Sequence, residues 1–188
     1  QCDLHNTTNI LETALVEKCV RPPGQRVNDD DLEAQCCTSD ITLEEFKSLK
    51  GILDRSNLNV GSEDELLETN SALRDMLPPQ NGGTLLSFSE ALQLFRRLNV
   101  GVAPELKSPS VSMPFQDEYS QQDYATQLVS EVEAAGIAPE RVWLQSFSYD
   151  DVLYWLKAYP HYARQVVYLD DRYNTDVNNR ESVIAMDP

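Results

Sequence analysis

Glu105 and Lys107 stand two residues apart at the end of the apolar run Val100-Gly101-Val102-Ala103-Pro104-Glu105-Leu106. Strand alternation sends both side chains to one face. A carboxylate in that place can ligate a hard divalent cation, and an ammonium beside it can neutralise a phosphate oxygen. The same spacing also describes a plain surface ion pair just past a strand, flanked by Pro104 and Pro109. Asp170 and Asp171 follow a later apolar run, Gln165 to Leu169, and are weaker candidates for touching metal or substrate, because acids at strand ends also serve as caps. Of the two histidines, His5 lies in the polar opening and His161 follows Pro160 at a helix end, so neither has the setting of an acid–base group.

The elements that must position these residues are legible from residue 84 onward. Ser87 and Glu90 form a capping-box pattern, with Phe88, Ala91, Leu92 and Phe95 on one helical face. Ser120 and Asp123 open a second helix with Tyr124, Leu128 and Val132 on its apolar side, stopped by Gly136. Val142 to Phe147 reads as a strand. Ser148 and Asp151 cap a third helix bearing Val152, Leu153 and Leu156, and Gln165 to Leu169 is the next strand. Trp143, Phe147, Tyr154 and Trp155 are expected to pack between these layers. Short helix–strand alternation implies parallel strands joined by helical crossovers, in an open doubly wound sheet or a (β/α)8 barrel. Residues 1–83 differ: polar and irregular, they hold an acidic knot at Asn28 to Asp31, a capping box at Thr42 and Glu45, a weaker helix from Ser62 to Leu77, and the breaker Pro78-Pro79-Gln80-Asn81-Gly82-Gly83.

The balance of 31 acidic against 15 basic residues gives a net charge of −16 over 188 residues. Such a chain is repelled by nucleic acid and by anionic membrane surfaces. No apolar run approaches the ~18 residues that span a bilayer, so no transmembrane segment is expected. All 4 cysteines fall within the first 37 residues, at positions 2, 19, 36 and 37. They contain no CxxC pair, which argues against zinc. A bond between adjacent Cys36 and Cys37 is disfavoured, leaving two pairings open. Two loop-stapling disulfides suit a secreted or extracytoplasmic protein, in which Asn6-Thr7-Thr8 is a glycosylation sequon if the source is eukaryotic.

Several stretches carry a family likeness. Pro104-Glu105-Leu106-Lys107-Ser108-Pro109 resembles the Glu-Leu-Lys segment of the glycerophosphodiester phosphodiesterases. Leu4 to Asn9 resembles the Leu-x-Arg-Thr-Thr-Asn stretch of that family, with His5 where it commonly has arginine. Asp40 to Phe46 is similar to its Asp-Leu-Thr-Leu-Glu-Glu-Leu run, Thr84 to Phe95 to its Thr-Leu-x-Glu helix, and Gln145-Ser146-Phe147 to a Gln/Ser-Ser-Phe strand end. The five occur in order over residues 4–147.

The resemblance implies an α/β fold, a (β/α)8 TIM barrel present as an incomplete fragment, since a whole barrel needs about 250 residues. Residues 1–83 would hold an insertion-like, cysteine-bearing segment and residues 84–188 the central β/α units. It further implies a metal-dependent hydrolase that cleaves small-molecule glycerophosphodiesters to glycerol 3-phosphate and an alcohol, using Ca2+ or Mg2+. Glu105 would be a metal carboxylate and Lys107 the phosphate contact. The acid–base histidine pair and two further metal carboxylates are expected upstream of Gln1, so the fragment is expected to be inactive alone. The alternative is a non-catalytic binding module on the same scaffold, and a related phosphodiesterase acting on phospholipids is a further enzymatic possibility.

Overall fold

The computed structural model describes residues 2–22, 34–52 and 82–170. Asp171, the acidic knot and the 62–77 helix expectation lie outside them. Contacts divide the chain into two units, Gln1–Ser87 and Phe88–Pro188.

In the second unit, helix α3 (Phe88–Leu98) leads into strand β3 (Glu105–Leu106). Helix α4 (Gln121–Ala135), strand β4 (Gln145–Ser146), helix α5 (Tyr149–Ala158) and strand β5 (Val167–Tyr168) follow. The three strands form one sheet in the order β3-β4-β5, both pairings parallel. Glu105 lies opposite Gln145, and Gln145 opposite Val167. A bridge between Val102 and Val142 extends the first pairing toward its N-terminal end. Each parallel step therefore contains one helical crossover, as the alternation of patterns requires.

Local sequence explains the helix ends. Ser120 Oγ accepts from the Asp123 N–H at 3.1 Å and the Asp123 carboxylate accepts from the Ser120 N–H at 2.9 Å, a complete capping box. Gly136 ends α4 in the left-handed region, φ 68°, where a Cβ is costly. One core then joins the sheet to its helices: Leu106, Val142 and Leu144 meet Leu92 of α3, Leu128, Val129 and Val132 of α4, and Trp155 of α5. The Trp155 indole donates to the Ala125 carbonyl at 3.1 Å, so this fully buried ring carries its polar handle without penalty.

The (β/α)8 TIM-barrel expectation is overturned. Among the described residues the sheets have two and three strands and nothing closes. Helices cover the face bearing Val142 and Leu144, while the other face leaves Trp143 42% and Phe147 38% exposed. Helix–strand alternation encodes parallel crossovers, but closure depends on pairing between distant edges that no local pattern specifies. The α5 face is also rotated from the expected one. Val152 and Trp155 are buried along with Asp151, and Leu153 and Leu156 are exposed.

In the first unit, α1 (Leu4–Thr7) and α2 (Leu43–Ser48) accompany an antiparallel pair, β1 (Lys50–Gly51) with β2 (Gly83–Thr84). Thr42 and Glu45 make the expected reciprocal cap of α2. Helices this short are marginal alone, and covalent bonds compensate. Cys2 pairs with Cys37 and Cys19 with Cys36. Cys19 and Cys36 sit in a small core with Leu4, Ile10 and Leu49.

Candidate functional site

Leu106 is 2% exposed and packs in the core with the helices, and Glu105 and Lys107 alternate with it at the end of β3. Lys107 Nζ lies 3.0 Å from Glu105 Oε1; the lysine side chain is 55% exposed and the glutamate 23%. The contact is one of charge. Glu105 Oε1 has no accessible surface and no hydrogen bond in acceptable geometry. With the lysine charge beside it, that oxygen keeps lone pairs that a hard cation can accept. Across the sheet, Gln145 opposite Glu105 donates its side-chain N–H to the Ala103 carbonyl at 3.1 Å.

Glu105 also lines a cleft of about 420 Å³ with Phe88, Tyr124, Leu128 and Glu131. Its walls are mostly hydrocarbon and ring, with carboxylates at Glu105 and Glu131. Burial raises the Tyr124 phenol above its ordinary range, and the negative charge of Asp151 pushes the same way. Tyr124 is therefore a neutral hydroxyl over the physiological range.

The structure does not gather the other candidates around Glu105. Asp170 is exposed and follows β5, two strands away. At ordinary strand spacing that is roughly 10 Å, too far to share one cation. Asp171 lies outside the described residues. His161 Nε2 lies 3.1 Å from Glu133 Oε1 on α4. Among the described residues, no group of three His, Cys, Asp or Glu side chains is arranged to hold a metal ion.

One residue behind the site went unrecognised beyond its capping role. Asp151 is 3% exposed. Its carboxylate accepts from Gln121 Nε2 at 2.9 and 3.0 Å and from the Ser146 hydroxyl at 3.1 Å. Ser146 Oγ also lies 3.4 Å from the Leu106 carbonyl and accepts from the Ser148 N–H at 3.0 Å. Through Gln121, Asp151 fastens the far end of the segment 107–120, and Ser146 lies beside the Leu106 carbonyl at its start. The available signal was Ser146 itself, a hydroxyl at an inward strand position that has to find a partner.

A protein of Arthroderma benhamiae named "Extracellular protein" is 38% identical to this chain over 134 residues, which cover 71% of the chain and 55% of that protein. The chain thus spans about half the length of this curated relative. No family model matches the chain, and no solved structure matches it. The two disulfides and this extracellular relative make the chain a secreted, extracytoplasmic protein. No helix among the described residues is long and apolar enough to cross a membrane.

Proposed function

We propose that this chain is part of a secreted, metal-dependent phosphodiester hydrolase that cleaves glycerophosphodiesters to glycerol 3-phosphate and an alcohol. The observation that carries the reading is the buried Oε1 of Glu105, without a hydrogen bond, at the C-terminal end of a parallel strand and 3.0 Å from an exposed ammonium. The order of the five family-like segments supports it. Glu105 fits one carboxylate ligand of Ca2+ or Mg2+; the described residues do not assemble the remainder of such a site. When bound, such a cation supplies positive charge beside the scissile phosphate.

Lys107 is the residue this chain can contribute to the phosphate itself. Its ammonium is solvent-accessible, and the Glu105 carboxylate restrains it over the strand end. There it would meet a non-bridging phosphate oxygen and offset the charge that grows on it in the transition state. Asp151 and Ser146 lie behind, next to the backbone from which Lys107 projects.

The test uses the full-length parent protein with glycerophosphocholine and added divalent ion. Glu105→Gln is expected to abolish the metal-dependent hydrolysis, and Lys107→Met to lower kcat by about 10²–10³-fold. Full activity in Glu105→Gln would remove the ligand role, and a full-length protein without hydrolysis would remove the reading.

A further inference from the structure

The sequence holds a single Asn-x-Ser/Thr tripeptide, Asn6-Thr7-Thr8, which neither the cleft nor the sheet end uses. In the folded N-terminal unit this tripeptide is stitched in on several sides. The Thr7 carbonyl accepts from the Ile52 N–H at 2.9 Å, and Thr8 forms an antiparallel bridge with Gly51. The Thr8 hydroxyl donates to the Leu4 carbonyl at 2.6 Å and accepts from the Ile10 N–H at 3.2 Å, and Thr8 is only 2% exposed. Asn6 remains partly exposed, its Nδ2 lying 3.1 Å from His5 Nε2.

We propose that Asn6 is an N-glycosylation site whose glycan is attached before this segment folds and not after. Both conditions for the modification are present: the acceptor tripeptide, and an oxidising secretory compartment marked by two disulfides and a relative named as an extracellular protein of Arthroderma benhamiae. In the reaction, Asn6 Nδ2 bonds to the anomeric carbon of an oligosaccharide carried on a lipid pyrophosphate. The anomeric C–O bond breaks, the pyrophosphate leaves with its electron pair, and Nδ2 gives up one proton to a base on the transferase. The transferase must also reach the threonine hydroxyl two residues on. In the folded unit that hydroxyl is buried and doubly hydrogen-bonded, so the folded chain is no acceptor. Cys2 lies four residues before Asn6 and is bonded to Cys37, and the Leu4 N–H donates to the Cys36 carbonyl at 3.1 Å. Oxidation of these cysteines therefore closes the window for transfer, while the partly exposed Asn6 lets an attached glycan remain outside the core.

The test presents the bacterially made chain, in reduced unfolded and oxidised folded forms, to eukaryotic microsomal transferase with its lipid-linked donor. Mass spectrometry of the Asn6 peptide, before and after peptide N-glycosidase, reads the transfer. The reduced chain is expected to be glycosylated and the oxidised chain at least about tenfold less, since transfer then waits on local opening. Asn6→Gln should abolish transfer, and Thr8→Ser, which keeps the hydroxyl, should retain it in the reduced chain. No transfer to the reduced chain, or transfer that survives Asn6→Gln, would overturn the site. Equal transfer to both forms would overturn the order of events.

Discussion

Replacing Asp151 by alanine tests whether the network behind β3 and β4 holds this unit together. Two distinct donors reach its carboxylate, Gln121 Nε2 and Ser146 Oγ, in an environment where Asp151 is 3% exposed. Hydrogen bonds to a charged group contribute about 1.5–3 kcal/mol each. Both donors lose that acceptor in Asp151→Ala, so the expected loss is about 3–6 kcal/mol. The helix cap is untouched, because it runs from the Asp151 backbone N–H to Ser148 Oγ; the variant therefore isolates the side-chain network. For a chain of this size about 3–6 kcal/mol corresponds to a fall in Tm of roughly 6–24 °C. Urea unfolding followed by tryptophan fluorescence would measure it, Trp155 being fully buried in the same unit. Asp151→Asn should cost less, since one oxygen remains to accept. Ser146→Ala in the Asp151→Ala background should cost less than Ser146→Ala alone, a coupling of about 1–2 kcal/mol. A change within about 0.5 kcal/mol for Asp151→Ala, the range of ordinary surface substitutions, would refute the reasoning.

Calorimetric titration of the chain with Ca2+ and Mg2+ should show binding no tighter than roughly 10⁻³ M, because Glu105 alone is a poor oxygen site; tight one-to-one binding would mean that a full ligand set exists within these residues. The Asp123 carboxylate is held below its ordinary range by the Ser120 hydroxyl and the Ser120 backbone N–H. Its folded pKa is thus depressed, so its contribution is present above the unfolded value and disappears as pH falls through the folded one. Ser120→Ala should therefore lessen the loss of α4 stability below about pH 4, measured by circular dichroism against pH; an unchanged acid profile would count against the cap. Replacing both Cys2 and Cys37 by serine should destabilise the N-terminal unit by about 4 kcal/mol, given the 35-residue separation they close, read as a lowered thermal midpoint; an unchanged midpoint would mean the small core suffices without that bridge.

What was legible in the sequence was local. Thr42 with Glu45 and Ser120 with Asp123 announce their helices because each cap is closed within three residues. Gly136 marks its stop because only the backbone conformation at that residue is in question. Parallel β3, β4 and β5 follow from alternation alone. The rest depends on partners far along the chain. Trp143 and Phe147 look like core residues by type, yet they stand on the sheet face that no described helix covers. In α5, the pattern Val152, Leu153 and Leu156 competes with Val152 and Trp155; the large indole wins because α4 offers it both packing and the Ala125 carbonyl. Asp151 reads as a cap acid, and only the fold brings Gln121 to it across 30 positions. Glu105 and Lys107 were placed on one side of a strand end by their spacing, and the 3.0 Å contact joins them there.

The two disulfides share a peculiarity: their downstream partners, Cys36 and Cys37, are consecutive residues. The ring closed by Cys19–Cys36 is thereby nested inside the one closed by Cys2–Cys37. Hydrolysis of any peptide bond between Cys19 and Cys36 cuts the backbone yet separates nothing, because both bridges still span the gap. A cut between Cys2 and Cys19 leaves the pieces joined by one bridge only. For a protein released among extracellular proteases, the stretch holding Asp29, Asp30 and Asp31 can be nicked without loss of a fragment. The damage would surface only on reduction, when a chain that migrated as one species becomes two.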